Sequence, residues 1–210
     1  MGDLIILSLV FIISILPVFT IGAGLTALYY VVVKNVRHDR SNLTEAYIKS
    51  FKENFKQGTI IGLISLVIKL LLIYNILLIG SVDLFNLKEL NLLQTFKGNG
   101  FVYLYLALFI LSMCMSLYVY PLLSRYNMSV KNVFSMAFYC VFRHLLTTVS
   151  CLIVLCVGLF IAHTSLFMGI MLVPSVTTLI ISMNMEKVLY QYIPEQYKNM
   201  TDKLDTWYLE

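Results

Sequence analysis

The chain has 210 residues, of which 60% are hydrophobic and only 12% are charged, and its net charge is +4. Soluble domains carry about twice this charged fraction, and a domain of this length could not hide so much apolar surface from water. The composition therefore excludes an ordinary soluble protein and predicts an integral membrane protein. Its basic residues lie in short segments between apolar runs, so nucleic-acid binding is not expected.

The first apolar run, residues 4–33, contains no charged residue. A spanning helix needs about 20 apolar residues, so this run is longer than one crossing requires. Pro17 interrupts it, and Gly22 and Gly24 follow. We predict one span with a kink or a helix break at these residues. A broken helix is also a device by which transporters expose backbone to a substrate, but a proline kink is the simpler interpretation.

Further apolar runs predict spans at residues 59–81, 101–123, 145–162 and 165–185. The last two belong to one uncharged stretch that is too long for a single crossing at about 1.5 Å per residue, and the polar segment at His163 divides it. The sequence thus predicts an all-α polytopic bundle of about five transmembrane helices. We expect this bundle to form a single membrane domain over residues 1–210.

The basic residues predict the orientation of this bundle, because cytoplasmic loops of membrane proteins are enriched in Lys and Arg. Most of them lie in residues 34–58, in residues 124–144 and in the tail 186–210, whereas the opposite side has only Lys88 and Lys97. We therefore expect an N-terminus outside the cell, a cytoplasmic C-terminus, and several passes through the plasma membrane.

Each large cytoplasmic segment predicts an amphipathic helix at the membrane surface, over residues 42–57 and 129–143. Asn42 with Glu45 has the spacing of a capping box, and Ser129 can cap the second helix. Such helices either anchor in the headgroup layer or dock a partner. The aromatic residues proposed to contact a partner are Tyr47, Phe51, Phe55, Phe134 and Phe138.

The ends of the two helices are alike. Phe51-x-x-x-Phe55 is followed by Lys56, and Phe138-x-x-x-Phe142 is followed by Arg143. Each pair precedes a span that runs in the same predicted direction. Spans one and two are therefore a hypothetical parallel repeat of spans three and four.

Lys69 lies near the middle of the predicted span 59–81, where a charge costs about 2.5–3.5 kcal/mol on insertion scales. No predicted span offers an Asp or Glu to pair with it. Lys69 must therefore contact carbonyls or hydroxyls, lose its proton, face water, or meet a polar or acidic group of another chain. A partner-binding role and a purely structural role both remain open.

Small residues at helical spacing predict close helix packing, at Gly58 with Gly62 and at Ser112 with Ser116. Packing within this bundle is favoured over dimerisation. Catalytic chemistry finds no support: the histidines fall on opposite sides of the membrane, and the cysteines lack the spacing of a zinc or redox motif. We expect no catalytic residue, no metal and no cofactor, and therefore no enzyme.

Three stretches resemble the YesL family of bacterial membrane proteins. They are Leu16-Pro17-Val18-Phe19-Thr20-Ile21-Gly22-Ala23-Gly24, Phe51-Lys52-Glu53-Asn54-Phe55-Lys56-Gln57-Gly58-Thr59 and Tyr120-Pro121-Leu122-Leu123-Ser124-Arg125-Tyr126. Members of that family typically accompany carbohydrate-uptake ABC importers in Gram-positive bacteria. The resemblance implies an accessory role beside such an importer, and it supplies no catalytic residues.

The leading hypothesis is a non-catalytic membrane subunit that binds and supports or regulates a carbohydrate ABC importer. Its contacts would be the lipid bilayer and the importer's membrane subunits, reached through Lys69 and the two cytoplasmic helices. The alternative is a small stand-alone transporter or channel acting as a homo-oligomer, which needs a polar path through the membrane.

Overall fold

The computed structural model describes residues 2–36, 42–79, 100–126 and 128–192. Within these residues the chain is α-helical and contains no strand, which confirms the predicted all-α class. The predicted outer segment with Lys88 and Lys97, Arg37 and Arg40 of the first inner segment, and the tail beyond residue 192 lie outside the described residues. The helices are α1 (Gly2–Ile15), α2 (Ile21–Val31), α3 (Leu43–Ile79), α4 (Gly100–Arg125), α5 (Val130–Arg143), α6 (Leu145–Thr164), α7 (Leu166–Met171) and α8 (Val173–Leu189).

Three helical segments are long and apolar enough to cross a membrane, namely Leu43–Leu78, Phe101–Arg125 and Leu145–Thr164. The segments Gly2–Ile15 and Val18–Lys34 are apolar but shorter. The chain is thus a helical membrane protein. The five crossings and the orientation stay predictions.

The chain breaks at Pro17 as predicted, but the first apolar run is not one kinked rod. A 3₁₀ turn at Val18–Thr20 separates α1 from α2, and the Thr20 hydroxyl donates to the carbonyl of Ser14 at 2.6 Å. A Cβ added at Gly24 would meet side chains of Ser14 and Ile15 within 3.3 Å. Residues 15 and 24 of one helix would be about 13 Å apart along its axis, so α1 and α2 instead lie side by side here.

The prediction that Gly22 and Gly24 belong to the helix break is wrong. Both lie inside α2 and are buried. Their role is steric: at Gly22 a Cβ would lie 2.8 Å from the Cα of Gly62, and at Gly24 it would collide with α1. The missing side chains therefore allow the close approach of neighbouring helices, while Pro17 and the 3₁₀ turn make the break.

The helix predicted over residues 42–57 is not separate from the span that follows. Residues 43–79 form the single helix α3 of 37 residues, which is about 55 Å long and exceeds the roughly 30 Å hydrocarbon core. No proline lies between the predicted cytoplasmic helix and the predicted span, and Gly58 stays helical because it packs against Ala23. The second connection is separate as predicted, since His144 leaves the helical conformation between α5 and α6, with φ −122° and ψ 53°.

The buried core lies where α2, α4, α5 and α8 meet. Its large members include Tyr118 and Leu122 of α4, Val133 of α5, and Met185 and Leu189 of α8. A second cluster joins α1 and α2 to the start of α3 through Leu7, Phe11, Leu28 and Tyr47. The two clusters tie the short N-terminal helices to the long apolar ones.

Candidate functional site

Lys69 lies between α3 and α4 and is coordinated by hydroxyl groups. Its Nζ donates to Ser65 Oγ at 3.0 Å and to Ser116 Oγ at 2.8 Å. The two hydroxyls are themselves 3.2 Å apart, and Ser116 also donates to the carbonyl of Ser112. Of the alternatives that the sequence left open for Lys69, the structure therefore shows hydroxyl contacts.

The sequence explains why these three side chains meet. Ser65 and Lys69 are four residues apart on α3 and so project from one helix face. Ser112 and Ser116 have the same spacing on α4, and the small side chains let α4 come close enough for Ser116 to reach Lys69. The predicted role of the serine pair in close packing thus extends to a hydrogen bond with the lysine.

The Gly58 and Gly62 pair packs within the bundle, as favoured from the sequence. A Cβ at Gly58 would lie 2.8 Å from the Cα of Ala23, and one at Gly62 would lie 2.9 Å from the Cα of Gly22. The backbones of α2 and α3 are therefore in direct contact along this line. The face of α3 that carries the two glycines therefore packs against α2 of the same chain.

The structure divides the aromatic residues proposed to bind a partner. Tyr47 is a core residue: it is fully buried, and its hydroxyl bonds to Ser14 Oγ at 2.5 Å. Phe51 and Phe134 are half-buried against the two core clusters. Phe55 and Phe138 are exposed. Of the five, only Phe55 and Phe138 are therefore exposed.

Helix α5 carries an exposed aromatic patch, defined here as Phe138, Tyr139 and Phe142. These side chains are 48%, 53% and 54% exposed, and the rings of Phe138 and Phe142 lie 4.9 Å apart. With Arg143 they line a shallow open groove. The opposite face of α5 is buried against the core through Val133, Ala137, Cys140 and Val141.

A polar network that the sequence analysis missed joins three helices near the ends of α4 and α8. Arg125 forms an ion pair with Glu186, and the hydroxyl of Tyr29 donates to the same carboxylate at 2.9 Å. The side chains of Arg125 and Glu186 are only 2% and 15% exposed. From the sequence, Arg125 counts only as one of the basic residues that predict the orientation. Its position directly after a predicted span was the one signal that its side chain could lie inside the bundle.

Two groups near the end of α5 have shifted pKa values. The pKa of His144 is lowered, first by burial and then by the positive charge of Arg143; its Nε2 lies 2.8 Å from the hydroxyl of Tyr192. Burial raises the pKa of the Cys140 thiol to about 11. At neutral pH both groups are therefore uncharged, which suits the packing of α5 on the core and gives no activated nucleophile at Cys140.

The comparisons with known proteins concern mainly the N-terminal third. Residues 4–76 match the family model described as "Protein of unknown function, DUF624". This range includes α1, α2 and nearly all of α3, and with them the first two stretches that resemble the YesL family. The third stretch, at residues 120–126, lies outside it. No curated protein and no solved structure matches the chain.

The DUF624 match covers the close contacts at Gly22, Gly24, Gly58 and Gly62, and it also covers Lys69. Within the described residues, no group of three or more His, Cys, Asp or Glu side chains is placed to hold a metal ion. The site that the geometry offers is a lysine with hydroxyl neighbours on an apolar helix, together with the exposed aromatic patch on α5.

Proposed function

We propose that this protein is a non-catalytic accessory subunit that binds and supports or regulates a carbohydrate ABC importer in the bacterial plasma membrane. The observation that carries the proposal is the exposed aromatic patch on α5. Large aromatic side chains that stay exposed on a rigidly held helix are typical of protein interaction surfaces. The class of partner follows from the resemblance to the YesL family.

The rigidity of α5 supports a docking role. Four residues of its inner face are packed into the core, so the patch is presented in a fixed position and little conformational entropy is lost on binding. Arg143 lies at the edge of the patch. Aromatic residues and Arg are enriched among the residues that contribute most to binding energy.

Several hydroxyl groups inside the bundle bond to each other in pairs. Tyr118 bonds to Thr148 at 2.9 Å, Ser8 bonds to Ser175 at 2.7 Å, and Tyr47 bonds to Ser14. Each pair links two helices. These hydroxyls therefore hold the bundle together, which leaves the exposed surfaces for binding.

The alternative function, a stand-alone transporter or channel, is supported by one observation. The hydroxyls of Ser14, Thr20 and Tyr47 gather at the break between α1 and α2, and broken helices form substrate sites in transporters. In that case the purified chain alone, reconstituted in liposomes, would move a solute.

The test is affinity purification of the tagged chain from its native membrane in mild detergent, followed by mass spectrometry. We expect near-stoichiometric recovery of ABC importer membrane subunits. The double variant Phe138→Ala with Phe142→Ala should lower that recovery by about tenfold or more, because it removes two aromatic anchors. Recovery of the chain by itself, or only as a homo-oligomer, would contradict the proposal.

The matched control is Ile153→Ala with Val157→Ala on α6. These side chains are as exposed as those of the patch but lie on the predicted fourth span, where lipid is the expected neighbour. Importer recovery should not change in this variant. Equal losses in both double variants would point to a general effect of surface truncation and would contradict a specific role of the patch.

A further inference from the structure

We propose that Lys69, with Ser65 and Ser116, binds a carboxylate on a transmembrane helix of the partner subunit. This inference rests on the proposed function, and it adds the chemistry of the contact inside the membrane. It assigns to the partner an Asp or Glu in the middle of one of its spans.

The first step is that no described residue of the chain neutralises the charge of Lys69. Its two bonded neighbours are neutral hydroxyls, and an ammonium group has three donors, so one donor is left. Within the part of the chain that the structure describes, no carboxylate lies at ion-pair distance from Lys69. Hydroxyls solvate the ammonium group but leave its charge uncompensated.

The second step concerns where the compensating charge can come from. Lys69 lies about ten residues from either end of the segment 59–79, which corresponds to about 15 Å of helix. A lysine side chain cannot cover that distance, so lipid phosphates at the membrane surface are out of reach. A second copy of the chain cannot supply the charge from its own predicted spans, because they contain no Asp or Glu.

The third step is that a helix of another protein can reach Lys69. Beyond Lys69, α3 exposes large apolar side chains on more than one face: Leu70 and Leu71 are both 56% exposed, and Tyr74 is 50% exposed. Lys69 itself is only partly buried. An apolar helix with one acidic residue would fit this surface, since its apolar side chains would cover those of α3 and its carboxylate would take the free donor. Polar contacts of this kind join transmembrane helices.

The experiment compares Lys69 variants of the full tagged chain in the mild-detergent purification. Lys69→Met should lower recovery of importer membrane subunits by about tenfold or more, and Lys69→Arg should retain most of it because the charge remains. Lys56→Met, which removes an exposed Lys from the same helix, should leave recovery unchanged. A charge-reversal experiment follows. Lys69→Glu should abolish the recovery of importer subunits, and replacing one intramembrane Asp or Glu of the partner by Lys should restore it.

A second measurement separates binding from folding. The isolated Lys69→Met chain in detergent should melt at the same temperature as the wild type or higher, because the variant removes a buried charge. A lower melting temperature would show a structural role and overturn the inference. If the wild type recovers importer subunits and Lys69→Met recovers them equally, the inference falls and the proposed function stands. If the wild type recovers none, both fall.

Discussion

Two cations of the described chain, the buried Arg125 and the partly buried Lys69, have different environments. Arg125 is compensated by the carboxylate of Glu186, which also accepts a hydrogen bond from Tyr29. Lys69 has only hydroxyls around it. Removing one partner of a buried ion pair is strongly destabilising because it leaves the other charge uncompensated, and a charge that has no partner from the start carries that cost until a counter-charge arrives. We therefore assign Arg125 to the structure of the bundle and Lys69 to binding.

The structural role of Arg125 predicts a strong single-residue effect. Glu186→Gln should lower the free energy of unfolding by about 3–5 kcal/mol, because it leaves a buried guanidinium without its counter-charge. Replacing both residues, Arg125→Met with Glu186→Leu, should recover most of that loss. Equilibrium unfolding in detergent measures both. A loss under about 1 kcal/mol for the single variant would mean that the pair contributes as little as an exposed one.

Single residues could be predicted from the sequence where their type was unusual for its surroundings. Lys69 is conspicuous in an apolar span, and Pro17 in a helix. Arg125 and Glu186 were not paired in advance because they are 61 residues apart, and only helix packing brings them together. Tyr47 was proposed as a partner contact, and its burial could not be predicted for the same reason: its contact with Ser14 depends on how α1 folds back.

At the scale of the helices, the α2–α3 interface depends on glycine. Gly58→Ala should lower the stability of the chain by about 1–3 kcal/mol, because the added Cβ would lie 2.8 Å from the backbone of Ala23. Gly2→Ala is the matched control, since nothing lies within 4 Å of its Cβ position. Thermal unfolding in detergent should separate the two variants, and equal melting temperatures would show that α2 and α3 do not pack this closely.

The helices themselves could largely be predicted, because apolar runs and turn residues are local signals. α3 begins at Leu43 directly after Asn42, and α5 begins at Val130 directly after Ser129. The predicted capping is not seen at Ser129, whose side chain makes no cap hydrogen bond, and Asn42 has a φ of 71° rather than the extended conformation usual for an N-cap. The continuity of α3 could not be predicted from the change of polarity near residue 58. A helix can pass from headgroup layer to hydrocarbon without any break in its hydrogen bonds.

Across the described part of the molecule, the partners of a polar group depend on whether it lies between helices or at the surface. Polar groups between helices mostly bond to one another, as at Tyr118 with Thr148. Two features differ from this pattern: Lys69 is only partly buried and bonds to neutral hydroxyls, and Phe138, Tyr139 and Phe142 form an exposed aromatic patch. By the predicted orientation the first lies in mid-membrane and the second on the cytoplasmic side. One partner that spans the membrane can contact both.

Photocrosslinking in the native membrane tests this account most directly. A benzoylphenylalanine replaces Phe142 in the patch or, as a control, Val157, which is exposed to a similar degree on α6. We predict that position 142 crosslinks to a membrane subunit of an ABC importer and that position 157 gives no protein adduct. Crosslinks at 142 only to lipid, or only to a second copy of the chain, would contradict the accessory-subunit account.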